Sequence, residues 1–214
     1  MEYCKEEDIE AYMIMMDFKK AYNRIDRKSM EETLRAMNFS GKTIDLVLLL
    51  YAGSEAIIVT NDEKGERFKT KGGVRQGCPL SPYLFIVVLE LMEIEIREDK
   101  QIKGVNIQTP HKNISSYRHI NKHHDNEDNR LSMLADDSST ITTSTEQVFY
   151  ARENIHTYEK ASCSELHEGR TKITKLGKAI KKNITQATLR VNFTIMKEGE
   201  TEAYLKDILA NTVS

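Results

Sequence analysis

Two short apolar segments, each ending in acidic residues, constrain the fold of this chain most strongly. Residues 12–16 (YMIMM) form a continuous apolar run that ends at Asp17, and residues 131–135 lead into Asp136 and Asp137. A run of this length is typical of a buried strand. Strands that pair in one sheet would bring these carboxylates together, and carboxylate oxygens are the ligands that Mg²⁺ prefers. Taken alone, the Asp-Asp dipeptide is also explained by a turn.

The composition allows a folded core and excludes several classes of protein. Leu, Ile, Val and Phe account for 51 of the 214 residues, which is above the ~20% below which disorder is expected. No apolar run approaches the ~18 residues of a membrane span, so we expect no membrane partner. The acidic N-terminus does not resemble a signal peptide. The three scattered cysteines favour a reducing compartment over a disulfide scaffold or a zinc site.

Charge is segregated along the chain although the net charge is only −2. Residues 170–197 contain eight Lys and Arg residues and no acidic residue. Such a stretch can neutralise phosphates, although taken alone a solvated basic surface is the more common explanation. The candidate nucleic-acid-binding residues in it are Lys175, Lys178, Lys181 and Lys182.

The periodicity and the turn residues predict a mixed α/β chain. A capping box at Ser29 and Glu32 predicts the start of one helix, Gly41 precedes a second, and Ser81-Pro82 starts a long one that ends near Arg97. A further helix is expected over 146–161. Strands are expected over 55–61 and 66–71 around a turn at 61–65, and over 102–107, 131–137, 139–143, 171–176, 188–195 and 202–205. The segment 109–129 holds four of the six histidines without the spacing of a metal site, and we interpret it as a polar loop or insertion.

Three ordered segments carry a family resemblance. They are residues 17–22 (DFKKAY), residues 73–85 (GVRQGCPLSPYLF) and residues 134–137 (LADD). They resemble motifs A, B and C in the palm of reverse transcriptases from non-LTR (LINE-1-like) retrotransposons. Residues 159–162 and 170–172 resemble motif D, and residues 200–205 resemble a degraded motif E. The resemblance covers most of residues 12–206 apart from 109–129.

The resemblance implies catalytic roles for five residues. Asp17, Asp136 and Asp137 would hold two Mg²⁺ ions, or Mn²⁺ in their place, for nucleotidyl transfer from a dNTP to a primer 3′-hydroxyl. Arg170 or Lys172 would protonate or neutralise the pyrophosphate. For Lys172, a plain surface charge is the alternative.

The resemblance also implies a nucleotide-binding set. The backbone of Phe18 would lie along the site, and Tyr22 would be the aromatic gate that excludes a ribonucleotide 2′-hydroxyl. Gln76 and Gly77 would line the pocket beside the incoming base and the template. The alternatives are a core aromatic at Tyr22 and a helix-terminal hydrogen-bonding role for Gln76.

From the resemblance we expect one palm domain over residues 1–214, with an antiparallel sheet that carries the aspartates and helices on one face. Fingers and thumb would be largely missing, and Asn23, Leu134, Cys163, His167 and Lys206 depart from the family pattern. The isolated chain is therefore expected to be a poor polymerase or none.

The implied partners are an RNA template, a DNA primer, a dNTP and other parts of a retrotransposon complex, in an intracellular and specifically nuclear location. The alternative function is a non-catalytic nucleic-acid-binding remnant that uses the basic stretch. A splicing maturase or retron-type enzyme is disfavoured by the LINE-1-like segments at 98–104 and 131–137. An RNA-dependent RNA polymerase is disfavoured by Tyr22.

Overall fold

The computed structural model describes residues 2–70, 72–106, 131–134, 137–197 and 200. Within these ranges helices and strands are mixed along the chain, as the sequence predicts. The helices are α1 (Glu2–Glu6), α2 (Ala21–Arg24), α3 (Arg27–Ala36), α4 (Gly41–Tyr51), α5 (Ser81–Glu98), α6 (Thr145–Ser162) and α7 (Gln186–Leu189), with a 3₁₀ turn at Lys178–Lys181. The strands are β1 (Glu10–Met16), β2 (Glu55–Thr60), β3 (Glu63–Lys69), β4 (Leu131–Leu134), β5 (Asp137–Thr142), β6 (Lys172–Gly177) and β7 (Thr194–Ile195).

The chain divides into two compact units, and we describe each by itself. The first unit comprises Met1–Asp17, Ile96–Glu153 and His167–Ser214, and the second comprises Phe18–Glu95 and Asn154–Leu166. The prediction of a single domain with helices on one face of the sheet stays a prediction. Among the described residues, no helix is both long enough and apolar enough to cross a membrane.

The first unit contains a five-stranded sheet in the order β4-β5-β1-β6-β7. All its pairings are antiparallel except that of β6 with β7. The central strand β1 is buried on both faces, since Ala11, Tyr12, Ile14, Met15 and Met16 are all buried. A strand covered on both sides needs apolar residues at consecutive positions, which explains the unbroken run in the sequence. The predicted buried strand is confirmed. The predicted hairpin also forms, between β4 and β5, but Asp137 begins its second strand and does not end its first as predicted.

The pairing register of β1 determines which residues of β5 and β6 lie opposite each of its ends. Its C-terminal end pairs Met16 with Ser138 of β5 and Met15 with Lys172 of β6. Its N-terminal end pairs Glu10 with Gly177. Asp17 directly follows β1, so it comes at the end of the sheet at which β5 and β6 begin.

In the second unit, helix α3 has an N-terminal cap that differs from the predicted one. The carboxylate of Asp26 accepts a hydrogen bond from the backbone N–H of Ser29 at 2.9 Å, so that Asp26 caps α3. Ser29 is itself inside the helix and buried. The capping box predicted at Ser29 and Glu32 is wrong because an acidic N-cap three residues earlier already satisfies that N–H.

The hairpin of β2 and β3 is turned by two residues rather than by the predicted five. Asn61 and Asp62 both have positive φ, at 51° and 63°. This is the conformation of a type I′ turn, whose twist matches that of the two flanking strands. The second strand therefore starts at Glu63, inside the segment that we had predicted to be a turn.

Two predicted strands are wrong for local reasons. Residues 102–106 form no regular strand, because the N–H of Ile102 donates to the carbonyl of Asp99 in a turn. Residues 188–195 are mostly not extended, because the Thr185 side chain caps α7 and Arg190 ends it in a left-handed conformation. Only the two residues of β7 remain as strand there. The predictions for 109–129 and 202–205 lie outside the described residues.

Candidate active site

Asp17 is held through its backbone while its carboxylate stays accessible. Its carbonyl accepts a hydrogen bond from the N–H of His167 at 2.7 Å, and its own N–H donates to the Thr171 hydroxyl at 3.4 Å. The side chain is 44% exposed. A rigid backbone with an accessible carboxylate is the arrangement that an oxygen ligand for a cation requires.

The sheet brings the second acidic segment to the same edge. Met16 pairs with Ser138, so the next positions in this register are Asp17 and Asp137. Opposite residues of an antiparallel pair have Cα atoms about 4.5–5.5 Å apart. Asp136 and the side chain of Asp137 lie outside the described residues, so their predicted role as ligands stays a prediction.

Two basic residues lie at the same end of the sheet as Asp17. The Arg170 guanidinium is 4.0 Å from the Asp17 carboxylate and is 74% exposed. Lys172 begins β6 opposite Met15. Ion pairs between exposed side chains contribute little, about 0–1 kcal/mol, so Arg170 can leave Asp17 for another anion.

The donor set at this edge fits a hard divalent cation. Asp17 supplies one accessible carboxylate, and the register places the Asp137 backbone beside it. Mg²⁺ is commonly bound through one or two carboxylates together with substrate phosphates and water. Within the described ranges no group of three or more His, Cys, Asp or Glu side chains could hold a metal ion, and Asp136 is not among those residues.

Phe18, the residue after Asp17, faces the core of the second unit. It is buried, and its ring packs edge-on against Tyr158 with centroids 5.8 Å apart. Burial raises the pKa of the Tyr158 hydroxyl. The Phe18 ring is therefore a packing element, and only the backbone of this residue is left for the predicted contact with a nucleotide.

Glu165 anchors the loop between β1 and α2, a role that sequence reasoning missed. Its carboxylate forms ion pairs with Lys19 and, at 2.6 Å, with Arg24. Its carbonyl accepts a hydrogen bond from the N–H of Lys19 at 2.8 Å. The partners are more than 140 residues apart, so no local pattern in the sequence could have found this contact.

Tyr22 is positioned by residues of the second motif. Its ring stacks on Phe85 with centroids 4.9 Å apart and an interplanar angle of 26°. Its carbonyl accepts a hydrogen bond from the N–H of Val74 at 2.7 Å, and the N–H of Gly73 donates to Ile25 at 2.8 Å. Motif B thus fixes Tyr22 through both the backbone and the ring.

Gly73 makes this contact possible, and sequence reasoning gave it no role. It has φ +76°, and a Cβ there would lie 2.7 Å from the carbonyl oxygen of Asn23. Only glycine allows the two backbones to approach this closely. The adjacent pair Gly72-Gly73 was the signal in the sequence.

We expect Gly73→Ala to destabilise the protein by about 2 kcal/mol or more, because a left-handed alanine is strained and the methyl group overlaps Asn23. Urea denaturation would measure the loss. Gly77→Ala is the matched control, since Gly77 also has positive φ but open space around its Cβ. Equal losses in the two variants would show that the close approach to Asn23 is unimportant.

Gln76 and Gly77 are both exposed in the loop before α5. Gly77 has φ +80°, and nothing lies within 4 Å of where its Cβ would be. A ligand could therefore approach this backbone closely. Both residues belong to the second unit with Phe18 and Tyr22, whereas Asp17, Asp137, Arg170 and Lys172 belong to the first.

The thiol of Cys78 ionises more readily than that of Cys4. The backbone N–H of Leu80 holds the pKa of the Cys78 thiol below its ordinary value, with smaller lowering effects from Ser81 and from the charge of Arg75 that outweigh some desolvation. Burial instead raises the pKa of Cys4. Of these two thiols, that of Cys78 therefore loses its proton at the lower pH.

The predicted nucleic-acid-binding lysines are mostly occupied by the protein itself. Lys175 donates to the carbonyls of Ile180 and Lys182 at 3.2 and 3.1 Å. Lys178 and Lys182 form ion pairs with acidic residues near the N-terminus. Lys181 is exposed, and across the described ranges it makes no ion pair. Their role in binding template and primer stays a prediction.

The chain belongs to the reverse transcriptase (RNA-dependent DNA polymerase) family, whose profile matches residues 1–193. It is 26% identical over 110 residues, or 51% of the chain, to the transposon TX1 uncharacterized 149 kDa protein of Xenopus laevis. It is 30% and 33% identical over 79 residues, or 37% of the chain, to retrovirus-related Pol polyproteins from R2 retrotransposable elements of Nasonia vitripennis and Drosophila melanogaster. The chain spans 8% of the length of each of these relatives.

A solved structure shares the fold. Telomerase from Candida tropicalis, in complex with a fragment of telomeric RNA, superposes with a TM-score of 0.54 at 17% identity, over 80% of this chain and 27% of that one. The mixed α/β polymerase palm and the membership of the reverse transcriptase family are confirmed. The narrower assignment to non-LTR retrotransposons is supported by the similarity to the R2 proteins. The relatives are R2 and TX1 proteins, so the narrower LINE-1-like assignment stays a prediction.

Proposed function

We propose that this chain is the palm of an RNA-directed DNA polymerase that adds nucleotides from dNTPs to a primer 3′-hydroxyl. The observation that carries the proposal is the pairing of Met16 with Ser138 in a chain of the reverse transcriptase family, since Asp17 directly follows Met16 and Asp137 directly precedes Ser138. Asp17, Asp136 and Asp137 would hold two Mg²⁺ ions, or Mn²⁺ in their place. When bound, these ions would lower the pKa of the primer hydroxyl and stabilise charge on the triphosphate.

Residues of the chain itself would orient the metal ligands and bind the leaving group. The Asp17 backbone is fixed by His167 and Thr171, so its carboxylate is presented at a constant position. Arg170 is exposed beside it and can transfer its ion pair from Asp17 to a departing pyrophosphate. Lys172 lies at the start of the same strand and would add a second positive charge.

The nucleotide would be selected by the residues of the second unit. Tyr22 is held by its stack on Phe85, so its ring is a rigid obstacle to a ribose 2′-hydroxyl. The open backbone at Gly77, beside Gln76, would accept the base and the template. Phe18 would contribute its backbone alone.

The partners follow from this function. They are an RNA template, a DNA primer and a dNTP, together with other parts of a retrotransposon complex. The RNA-bound telomerase that shares the fold supports RNA as the template. We propose a nuclear location, where such an element would meet its DNA target.

Single-turnover addition of dTMP to a poly(rA)–oligo(dT) substrate, with protein in excess and Mg²⁺ present, tests the proposal. The excess of protein removes any need for processivity. We expect slow addition that disappears in Asp136→Ala. No addition, together with salt-sensitive RNA binding that Asp136→Ala leaves unchanged, would show a non-catalytic binding remnant instead.

We expect Tyr22→Ala to raise the incorporation of UMP relative to dTMP by at least about tenfold, which is ~1.4 kcal/mol of discrimination. The smaller side chain would leave room for the 2′-hydroxyl. Tyr22→Phe keeps the ring and should keep the selectivity. Unchanged sugar preference in Tyr22→Ala would refute the role of Tyr22 as the gate.

A further inference from the structure

A short basic turn follows β6 at its C-terminal end. We define the basic turn as residues 178–182, which include Lys178, Lys181 and Lys182. The side chains of Lys178 and Lys182 are 56% and 52% exposed, and Lys181 is exposed as well. Lys175 holds the turn in shape by donating to two of its carbonyls. The turn is therefore an ordered group of three cationic side chains at the surface of the first unit.

Two acidic residues of the protein pair with two of the three lysines of this turn. The ammonium of Lys178 lies 3.1 Å from the Asp8 carboxylate, and that of Lys182 lies 2.6 Å from the Glu10 carboxylate. The Lys178 N–H also donates to the carbonyl of Ile9 at 3.2 Å. A backbone hydrogen bond therefore joins the basic turn to the segment that contains Asp8 and Glu10, and the two ion pairs form beside it.

The Glu10 carboxylate has a second hydrogen-bond partner besides Lys182. It accepts a hydrogen bond from the Tyr12 hydroxyl at 2.8 Å. Desolvation pushes the pKa of Glu10 upward, but the hydrogen bonds from Lys182 and Tyr12 outweigh it and leave the pKa below its ordinary value. Glu10 is therefore ionised, and available to pair with Lys182, across the neutral pH range.

The turn lies far from the candidate active site. Glu10 pairs with Gly177 at one end of β1, and Asp17 follows the other end of this seven-residue strand. At ~3.3 Å per residue the two ends are roughly 23 Å apart. The basic turn is therefore a separate surface and not part of the catalytic edge.

We propose that the basic turn is a second contact for the phosphate backbone of nucleic acid, and that Asp8 and Glu10 limit its affinity by competing for the lysines. This proposal rests on the proposed function for the identity of the polyanion. Ion pairs between partly exposed side chains are weak and screened by salt, so a dense row of phosphates can displace the carboxylates. Each lysine released in this way becomes a phosphate contact.

Fluorescence anisotropy with a labelled RNA–DNA duplex of about 20 base pairs, without Mg²⁺, tests the competition directly. We expect the double variant Asp8→Asn/Glu10→Gln to bind about tenfold more tightly than the unmodified chain at about 50 mM KCl. The slope of log K against log salt should steepen by about 1.8, because two lysines each gain a phosphate contact worth ~0.9. Both substitutions keep the size of the side chains, and circular dichroism would verify the fold.

A matched control distinguishes competition for the lysines from a general effect of removing negative charge. Glu6→Gln/Glu7→Gln removes the same charge from neighbouring exposed positions, and in the described part of the chain neither residue pairs with the basic turn. It should change the affinity less than about twofold and leave the salt slope unchanged. An equal gain in both double variants would overturn the proposal.

The lysines themselves provide the second arm of the test. Lys178→Ala/Lys182→Ala should weaken binding by the unmodified chain, but by less than about tenfold because the carboxylates already limit this contact, and should abolish the whole gain in the Asp8→Asn/Glu10→Gln background. A gain that survives loss of the lysines, or no gain at all, would overturn the proposal. Primer extension is measured in a separate experiment. If extension fails, the binding result still holds. If extension occurs without the gain in binding, only this inference is refuted, and the proposed function is not.

Discussion

We expect Asp17→Asn to lower the rate of single-nucleotide addition on an RNA template by about 10³-fold, or ~4 kcal/mol of transition-state stabilisation. Asparagine keeps the size of the side chain and removes the negative charge that a divalent cation requires. The backbone contacts of Asp17 with His167 and Thr171 do not involve the carboxylate, so the fold should be unchanged. Rapid-quench measurement of dTMP addition at saturating Mg²⁺ would give the rate.

Asp45→Asn is the matched control for this prediction. Asp45 is exposed on α4, in the second unit, and it has no role in the proposed chemistry. It should leave the rate within about twofold of the unmodified chain, since isolated surface charges have little effect. A similar fall in both variants, or full activity in Asp17→Asn, would contradict the assignment of Asp17 as a ligand.

The second large effect is expected at Gly177, where β6 turns away from the sheet. Gly177→Ala should destabilise the protein by about 3 kcal/mol or more, a large share of the 5–15 kcal/mol of a typical domain. Gly177 has φ +54°, and a Cβ there would lie 2.0 Å from the carbonyl oxygen of Ile9 and 2.3 Å from that of Cys4. Both oxygens are held by backbone hydrogen bonds, since the carbonyl of Ile9 accepts from the N–H of Lys178 and the carbonyl of Cys4 accepts from the N–H of Ile9. Urea denaturation followed by circular dichroism would measure the loss.

Gly53→Ala separates backbone strain from steric overlap. Gly53 also has positive φ, at +65°, but nothing lies within 4 Å of its Cβ position. We expect this variant to lose only about 1 kcal/mol, the cost of the strained backbone alone. If Gly177→Ala loses no more than Gly53→Ala, the close packing of the N-terminal segment on Gly177 is not important for stability.

The parts of the fold that the sequence predicts well are those set by local pattern. The apolar run before Asp17 predicts a buried strand, because a strand covered on both faces needs consecutive apolar residues. The Ser81-Pro82 start predicts α5 and its end almost to the residue. The start of α3 was misplaced, because Asp26 and Ser29 both resemble caps and only the structure shows which side chain accepts the hydrogen bond.

The parts that the sequence could not give depend on contacts between distant positions. Motifs A, B and C predict which residues matter, but the stack of Tyr22 on Phe85 and the close approach of Gly73 to Asn23 require the folded chain. The basic stretch predicts a nucleic-acid surface, whereas the structure pairs Lys178 and Lys182 with acidic residues about 170 positions earlier in the chain. Charge counted along the sequence cannot show such pairing.

Asp17, Asp136 and Asp137 are proposed to share one divalent-cation site at the end of the sheet where Met16 pairs with Ser138. Titration of Mn²⁺ followed by electron paramagnetic resonance measures such a site without requiring polymerase activity. The account predicts that Asp17→Asn and Asp136→Asn each weaken Mn²⁺ binding by at least about tenfold, and that the double variant is scarcely weaker than either single one, as expected for ligands of one site. Independent, additive effects, or binding that neither substitution changes, would contradict it.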